Sequence, residues 1–339
     1  MDPGHVEAWV SLAAEYGSRG RIDEAFRCIR EAARRNPRAR GVQISLGNLF
    51  DLSGKADSAE AAYRREIDSH PESDEARVSL ADMRLRAGDE AEATRLYRDV
   101  LAHGAFPVRD LIDHARQLRE SSLGPRSSLP WDRSREGLSL ASGILTCLHG
   151  AGARLDPRSE RDLVDMELLL GRFDRARRAY EDVSGDSDVA PFGTILDVVQ
   201  NAPGATDAGA RAWAGDRAAA DEARGLADFY NATGRPALAI PIWRALLHGG
   251  LLSPDELNHV AVTTLRGGAI HAASPRNAEE IWTMLLDEKP DQPLALLNLG
   301  GIALTAGDRA ACRARWSRFL ALYPDRPEAA DVREKLARL

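Results

Sequence analysis

The 339-residue sequence predicts an all-α fold, a stack of about nine helix-turn-helix units closed by one terminal helix. Three observations carry this. Side chains recur at a stride of 34 residues, so that Leu12, Leu46 and Leu80 fall in one column and Ala25, Ala59 and Ala93 in another. Within each unit, apolar residues repeat at helical spacing on two successive segments. Gly20, Gly54 and Gly88 lie between those segments, and Pro37 and Pro71 close two of the units.

In the first unit, Trp9, Leu12, Ala13 and Tyr16 form one apolar stripe, and Ala25, Ile29 and Ala32 form the stripe of the partner helix. The columns return as Leu46, Gly47 and Tyr63, then as Leu80, Ala81 and Tyr97. Small residues at Ala13, Gly47 and Ala81 let paired helices approach closely. Glycine takes the left-handed conformation that ends a helix at least cost, and proline stops the second helix because it has no N–H to donate.

Beyond residue 105 the pattern blurs. Residues 108–121 predict a first helix, with Leu111, Ala115 and Leu118 on one face. The stretch 122–136 is rich in Pro, Ser and Gly and predicts an inserted loop, with a partner helix over 137–152. Leu163, Gly171, Ala176 and Tyr180 re-enter the columns, and 188–214 is a weaker pair carrying Phe192, Leu196 and Trp213. Leu226, Ala227, Tyr230, Gly234, Ala239 and Trp243 make the next unit. Leu257, Val260, Ala261, Gly268, Ala278, Trp282 and Pro290 follow, with roughly five extra residues in the turn. Leu296, Leu299, Gly300, Gly307, Cys312, Trp316 and Pro324 complete the series. Residues 327–339 place Val332, Leu336 and Leu339 on one side and charges on the other, as a capping helix requires. The expected organisation is a front array (1–121), an insertion with an irregular repeat (122–156), a rear array (157–326) and a capping helix (327–339). Pro3 stands 34 residues before Pro37, so the start reads as the tail of a preceding repeat: translation begins there, or the chain is a piece of a longer protein.

These columns resemble the tetratricopeptide-repeat family, whose unit reads W-x2-L-G-x2-Y…A-x3-F…P, over nearly the whole chain. The resemblance implies a right-handed superhelical solenoid whose first helices line a concave face, with a protein or peptide as partner. Carried onto this chain, the front face is Glu7, Val10, Ser11 and Ala14, then Gly41, Ile44, Ser45 and Asn48, then Glu75, Val78, Ser79 and Asp82. Val10, Ile44 and Val78 make an apolar track beside the hydroxyls of Ser11, Ser45 and Ser79, in acidic surroundings. The rear face offers Asp221, Arg224 and Asp228, then Asp255, Asn258, His259 and Val262, then Leu294, Leu297 and Asn298. Asn258 and Asn298 are either hydrogen-bonding groups for a peptide backbone or surface residues without a special role. The Lys, Asn and Arg clamp with which co-chaperones of the family grip acidic tails is absent, its place taken by Val10, Ala14, Ser45, Glu75 and Ser79. A peptide with small apolar groups and basic flanks fits better.

A net charge of −7 argues against a nucleic-acid partner, which would need a basic face. Lys55, Lys289 and Lys335 are the only lysines, a bias that reads as GC-rich, bacterial coding. No run approaches the ~18 apolar residues of a membrane span, and no basic-then-apolar leader precedes Val6. Cys28, Cys147 and Cys312 are far apart and odd in number, so no disulfide framework is implied. The expected location is cytoplasmic, or periplasmic if a leader was removed.

Catalytic spacing is not found. The eight histidines show no metal-ligand pair at i,i+4, and neither a phosphate loop nor a G-x-S-x-G elbow occurs. No cofactor or metal is expected. The aromatic column Tyr63, Tyr97, Tyr180, Trp213, Trp243, Trp282 and Trp316 reads as core packing. Trp131, in the 122–136 stretch, is either tucked onto the fold or offered to a partner. The expected function is a non-catalytic interaction scaffold or adaptor. The alternatives are the targeting part of a larger glycosyltransferase, sulfotransferase or signalling enzyme, or a peptide-sensing regulator.

Overall fold

The computed structural model describes residues 4–104, 106–123, 131–183, 190–200, 202, 204–267 and 273–339. Every regular element among the described residues is an α-helix. The first eight are α1 (Gly4–Ser18), α2 (Ile22–Arg35), α3 (Val42–Leu52), α4 (Ala56–Ser69), α5 (Asp74–Arg86), α6 (Glu90–His103), α7 (Val108–Leu123) and α8 (Trp131–Gly150). Then come α9 (Pro157–Leu170), α10 (Phe173–Val183), α11 (Ala190–Val199), α12 (Ala205–Gly215), α13 (Arg217–Ala232) and α14 (Pro236–His248). The series ends with α15 (Pro254–Arg266), α16 (Pro275–Glu288), α17 (Pro293–Thr305), α18 (Arg309–Leu322) and α19 (Glu328–Ala337). Odd-numbered helices pack on the even-numbered helices that follow them, from α1 on α2 to α17 on α18, and α19 lies on α18. For α9 and α10 the described link is the turn at Gly171. Two compact units, Met1–Leu163 and Val164–Leu339, divide within α9. No described helix is long and apolar enough to cross a membrane.

The turn between paired helices is built the same way in six of the hairpins. Gly20, Gly54 and Gly88 take φ of 71°, 70° and 81°, which L side chains rarely adopt. The residue after each glycine donates its N–H to the carbonyl five residues earlier: Arg21 to Tyr16 at 2.9 Å, Lys55 to Phe50 and Asp89 to Arg84, both at 2.8 Å. This is the long bond of a Schellman motif, which satisfies an otherwise orphaned helix-end carbonyl. It recurs at Arg172–Glu167, Arg235–Tyr230 and Asp308–Ala303. The stride in sequence is therefore a stride in backbone hydrogen bonding. Helix starts are set by local chemistry too. The Asp89, Asp216 and Asp308 carboxylates accept from backbone N–H groups three residues on. Ser253 and Glu256 close a capping box.

The expected columns are core columns. Ala13, Ala25, Ala59, Ala81, Ala93, Ala227, Ala261 and Cys312 are buried, as are Tyr63, Tyr97, Trp213, Trp243, Trp282 and Trp316. Tyr180 is only half-buried. The small column is a steric necessity: a Cβ at Gly47 would collide with the Tyr63 ring, and one at Gly300 with the Trp316 indole. Cys28 and Cys147 are buried free thiols as well.

Three expectations change. The stretch 122–136 is not a loop throughout, because α7 runs to Leu123 and α8 begins at Trp131; residues 124–130 lie outside the described set. Ser122, read as a loop signal there, is a close-packing residue. Ser122 is buried and its hydroxyl donates to the Leu118 carbonyl at 2.7 Å, while Gly137 of α8 faces that hydroxyl with no room for a Cβ. Trp131 is thus the half-buried first residue of a helix. Leu12 is 39% exposed although Leu80 in the same column is buried: α4 packs on α5, and among the described residues nothing covers α1 in that way. Gly268, His271 and the tripeptide 1–3 fall outside the described residues.

Candidate functional site

The aromatic at the centre of each second helix has a polar tip that must find a partner once the ring is buried. For five of these aromatics it finds one on the first helix, whereas Trp213 Nε1 of α12 is buried with no hydrogen-bond partner among the described residues. Tyr63 Oη donates to Asn48 Oδ1 at 2.7 Å and Tyr97 Oη to Asp82 Oδ1 at 2.6 Å. In the rear unit Trp282 Nε1 donates to Asn258 Oδ1 at 2.9 Å and Trp316 Nε1 to the Leu297 carbonyl at 3.0 Å. Trp243 bonds the Asp228 carboxylate. Burial raises the Tyr97 hydroxyl well above its ordinary pKa, with the neighbouring Asp82 charge adding to it. The phenol is therefore a neutral donor at any physiological pH.

First helices are also tied to one another. Arg86 of α5 pairs with Asp51 of α3 at 2.5 Å, and His114 of α7 reaches Asp82 of α5 at 3.1 Å. That contact raises the His114 pKa. In the rear unit Arg224 of α13 meets Glu256 of α15 at 2.7 Å, Asn231 meets Thr264 at 2.9 Å, and Asn298 of α17 donates to Asn258 of α15 at 3.1 Å. Hydrogen bonds from Arg224 and from Ser253 push the Glu256 carboxyl down to about 2.

The sequence-derived face residues therefore divide into two groups. Glu7, Ser11, Glu75 and His259 are exposed, and Val10, Ser45, Val78 and Ser79 are half-buried. Ile44 is 8% exposed and belongs to the core, so the expected track is interrupted at its middle. Asn48, Asp82, Arg224, Asn258 and Asn298 already hold partners within the protein.

The rear unit adds a feature that sequence reasoning missed. Leu265 of α15, Leu297, Asn298, Gly301, Ile302 and Thr305 of α17, and the start of α19 enclose an open cavity of about 820 Å³, with Trp316 at its base. Its walls are mainly aliphatic. Its rim carries Glu328 and Asp331, with Lys335 paired to Asp331 at 2.8 Å. Residues 328, 331 and 335 share one helix face by spacing alone, so the signal was present in a segment read only as a cap. A smaller recess beside Gly171, lined by Arg172, Arg175 and Arg178, is an ion-pair site within the fold. The buried Glu167 carboxylate lies 3.2 Å from Arg175 and 3.9 Å from Arg172. Among the described residues no group of three or more His, Cys, Asp or Glu could hold a metal ion.

A sequence model of the tetratricopeptide-repeat family matches residues 10–74 and 44–108. No curated protein matches the chain. Similar solved structures include PilW, a widely conserved type IV pilus biogenesis factor, at 13% identity and a TM-score of 0.31, covering 96% of this chain and 97% of that one. Yeast Tom70 matches at 11% identity and a TM-score of 0.28, covering all of this chain and 96% of that one. The segment 10–108 consists of tetratricopeptide repeats, and the described remainder of the chain is likewise built of α-helices.

Proposed function

We propose that the chain is a non-catalytic protein-interaction scaffold, and that its rear unit holds a peptide segment of a partner against the first-helix face of α15, α17 and α19. The observation that carries this is the 820 Å³ aliphatic cavity. An open apolar hollow of that size suits two or three aliphatic side chains of a ligand. The carboxylates of Glu328 and Asp331 on the rim favour a basic flank on that ligand, in keeping with the acidic chain as a whole. In the front unit Glu7, Ser11, Glu75 and Ser79 form a second, shallower face for the same class of partner, so that the two arrays bind separately.

Selection of a displayed random peptide library on the full chain tests this. Enriched peptides should combine aliphatic residues with Lys or Arg, and Leu297→Glu should weaken them at least tenfold while the helical spectrum and melting temperature hold. Glu328→Lys should act mainly through the on-rate and salt dependence. No enrichment, or binding indifferent to both substitutions, would overturn the reading.

A further inference from the structure

His248, the last residue of α14, stands between two carboxylates on two different helices. Its Nδ1 lies 3.0 Å from Asp207 Oδ1 in the first turn of α12, and its Nε2 lies 2.8 Å from Glu288 Oε2 at the end of α16. Both partners are acceptors only, so both ring nitrogens must carry protons, and the geometry is that of an imidazolium. Arg244 of α14 holds the other Glu288 oxygen at 2.6 Å. Of the other helices packed on α14, α11 and α13 give the ring no ion pair. Asp207 is 66% exposed and Glu288 only 20%.

We propose that this triad is a proton-operated clasp within the rear unit: protonated, His248 ties α12 to α14 and α16; neutral, it releases α12. A neutral ring has one N–H and can serve one carboxylate, while its bare nitrogen would face the other. Glu288 keeps its contact, because it is the less solvated and is already fixed by Arg244. Asp207 turns to water, and the first turn of α12 is freed from α14. The two carboxylates raise the pKa of His248. The tie is thus complete below the ordinary histidine value and is lost as pH rises through the raised one. The packing of Gly209 and Trp213 holds the rest of α12 throughout.

Hydrogen exchange on the full chain tests the clasp. After correction for intrinsic rates, amides in the first turns of α12 should lose protection roughly two- to fivefold between pH 6 and 8.5, the size of an exposed charged contact. In His248→Gln that protection should be low and flat with pH, and in Asp207→Asn the dependence should shrink. Ring ¹⁵N shifts should show both nitrogens protonated above the free-histidine value of about 6.5. A ring that titrates at or below that value overturns the clasp, as does pH-independent protection in the parent chain or an unchanged dependence in His248→Gln.

Discussion

The front and rear units use one hairpin with two different centres. In the front, Tyr63 and Tyr97 fill the second helix and reach Asn48 and Asp82 through a hydroxyl. In the rear, Trp243, Trp282 and Trp316 fill the same column. A phenol places its donor at the far end of the ring, so it pins a polar first-helix side chain and closes the face. An indole carries its N–H on the side: Trp282 and Trp243 still reach the Asn258 and Asp228 side chains, but Trp316 is served by the Leu297 backbone carbonyl and lines an open cavity. The difference teaches that one aromatic column builds the core of both units, while what its polar tip bonds, side chain or backbone, varies from one helix pair to the next.

The severest way to break that comparison is truncation of the ring. Trp282→Ala should cost about 3–5 kcal/mol, because it removes a fully buried indole together with its bond to Asn258, which keeps only Asn298. Tyr97→Ala should cost less, since a phenol ring buries less apolar surface than an indole, and each polar partner keeps a second contact, Asp82 with His114 and Asn258 with Asn298. Urea unfolding followed by far-ultraviolet dichroism compares them; equal costs would show that the size of the buried ring does not set the loss.

Next in size is overpacking of the small column. Gly300→Val must displace the Trp316 indole and should cost about 1–3 kcal/mol, with the cavity above it deformed. Gly47→Val meets Tyr63 in the front unit and should cost a similar amount. Peptide binding should separate the two: it should fall with the rear substitution and survive the front one.

Most of this architecture was legible in the sequence. The columns at Leu46, Gly47 and Tyr63 encode steric facts, a ring and the absence of a Cβ beneath it, and such facts survive translation into letters. The turn glycines were legible for the same reason. Ser122 was not, because small polar residues that mark a loop in sequence also let two helices touch closely. The face was legible only in part. Asn48, Asp82, Asn258 and Asn298 lie where a ligand could touch them, yet their partners come from residues 15 to 40 positions away. Single-helix periodicity carries no information about such pairings. The cavity escaped because its lining is drawn from five helices, α15 to α19, and α19 contributes its wall only after folding.

Removing one hydroxyl sharpens the comparison further. Tyr97→Phe keeps the ring and deletes the bond to Asp82, for an expected loss of about 0.5–1.5 kcal/mol. Tyr63→Phe should lose less, because Asn48 is exposed and water can replace the phenol. The order Tyr97 above Tyr63 is the testable content, read from urea midpoints at equal slope.

The smallest effect separates the ties between first helices. Glu256 joins α15 to α13 through Arg224 and caps its own helix through Ser253, which depresses its pKa from 4.5 to about 2. A depressed carboxylate stabilises the fold fully above the unfolded value and loses that contribution as pH falls through the folded one, here between about 4.5 and 2. The side chain is 48% exposed, so screening limits the contribution to about 0.2–1 kcal/mol. Glu256→Gln should flatten the acid limb of the stability curve by that amount and leave neutral stability nearly unchanged. A ¹³C titration of the carboxyl checks the cause directly. If Glu256 titrates near 4.5 in the folded chain, Arg224 does not hold it, and of the two ties described between α13 and α15 the Asn231–Thr264 hydrogen bond remains.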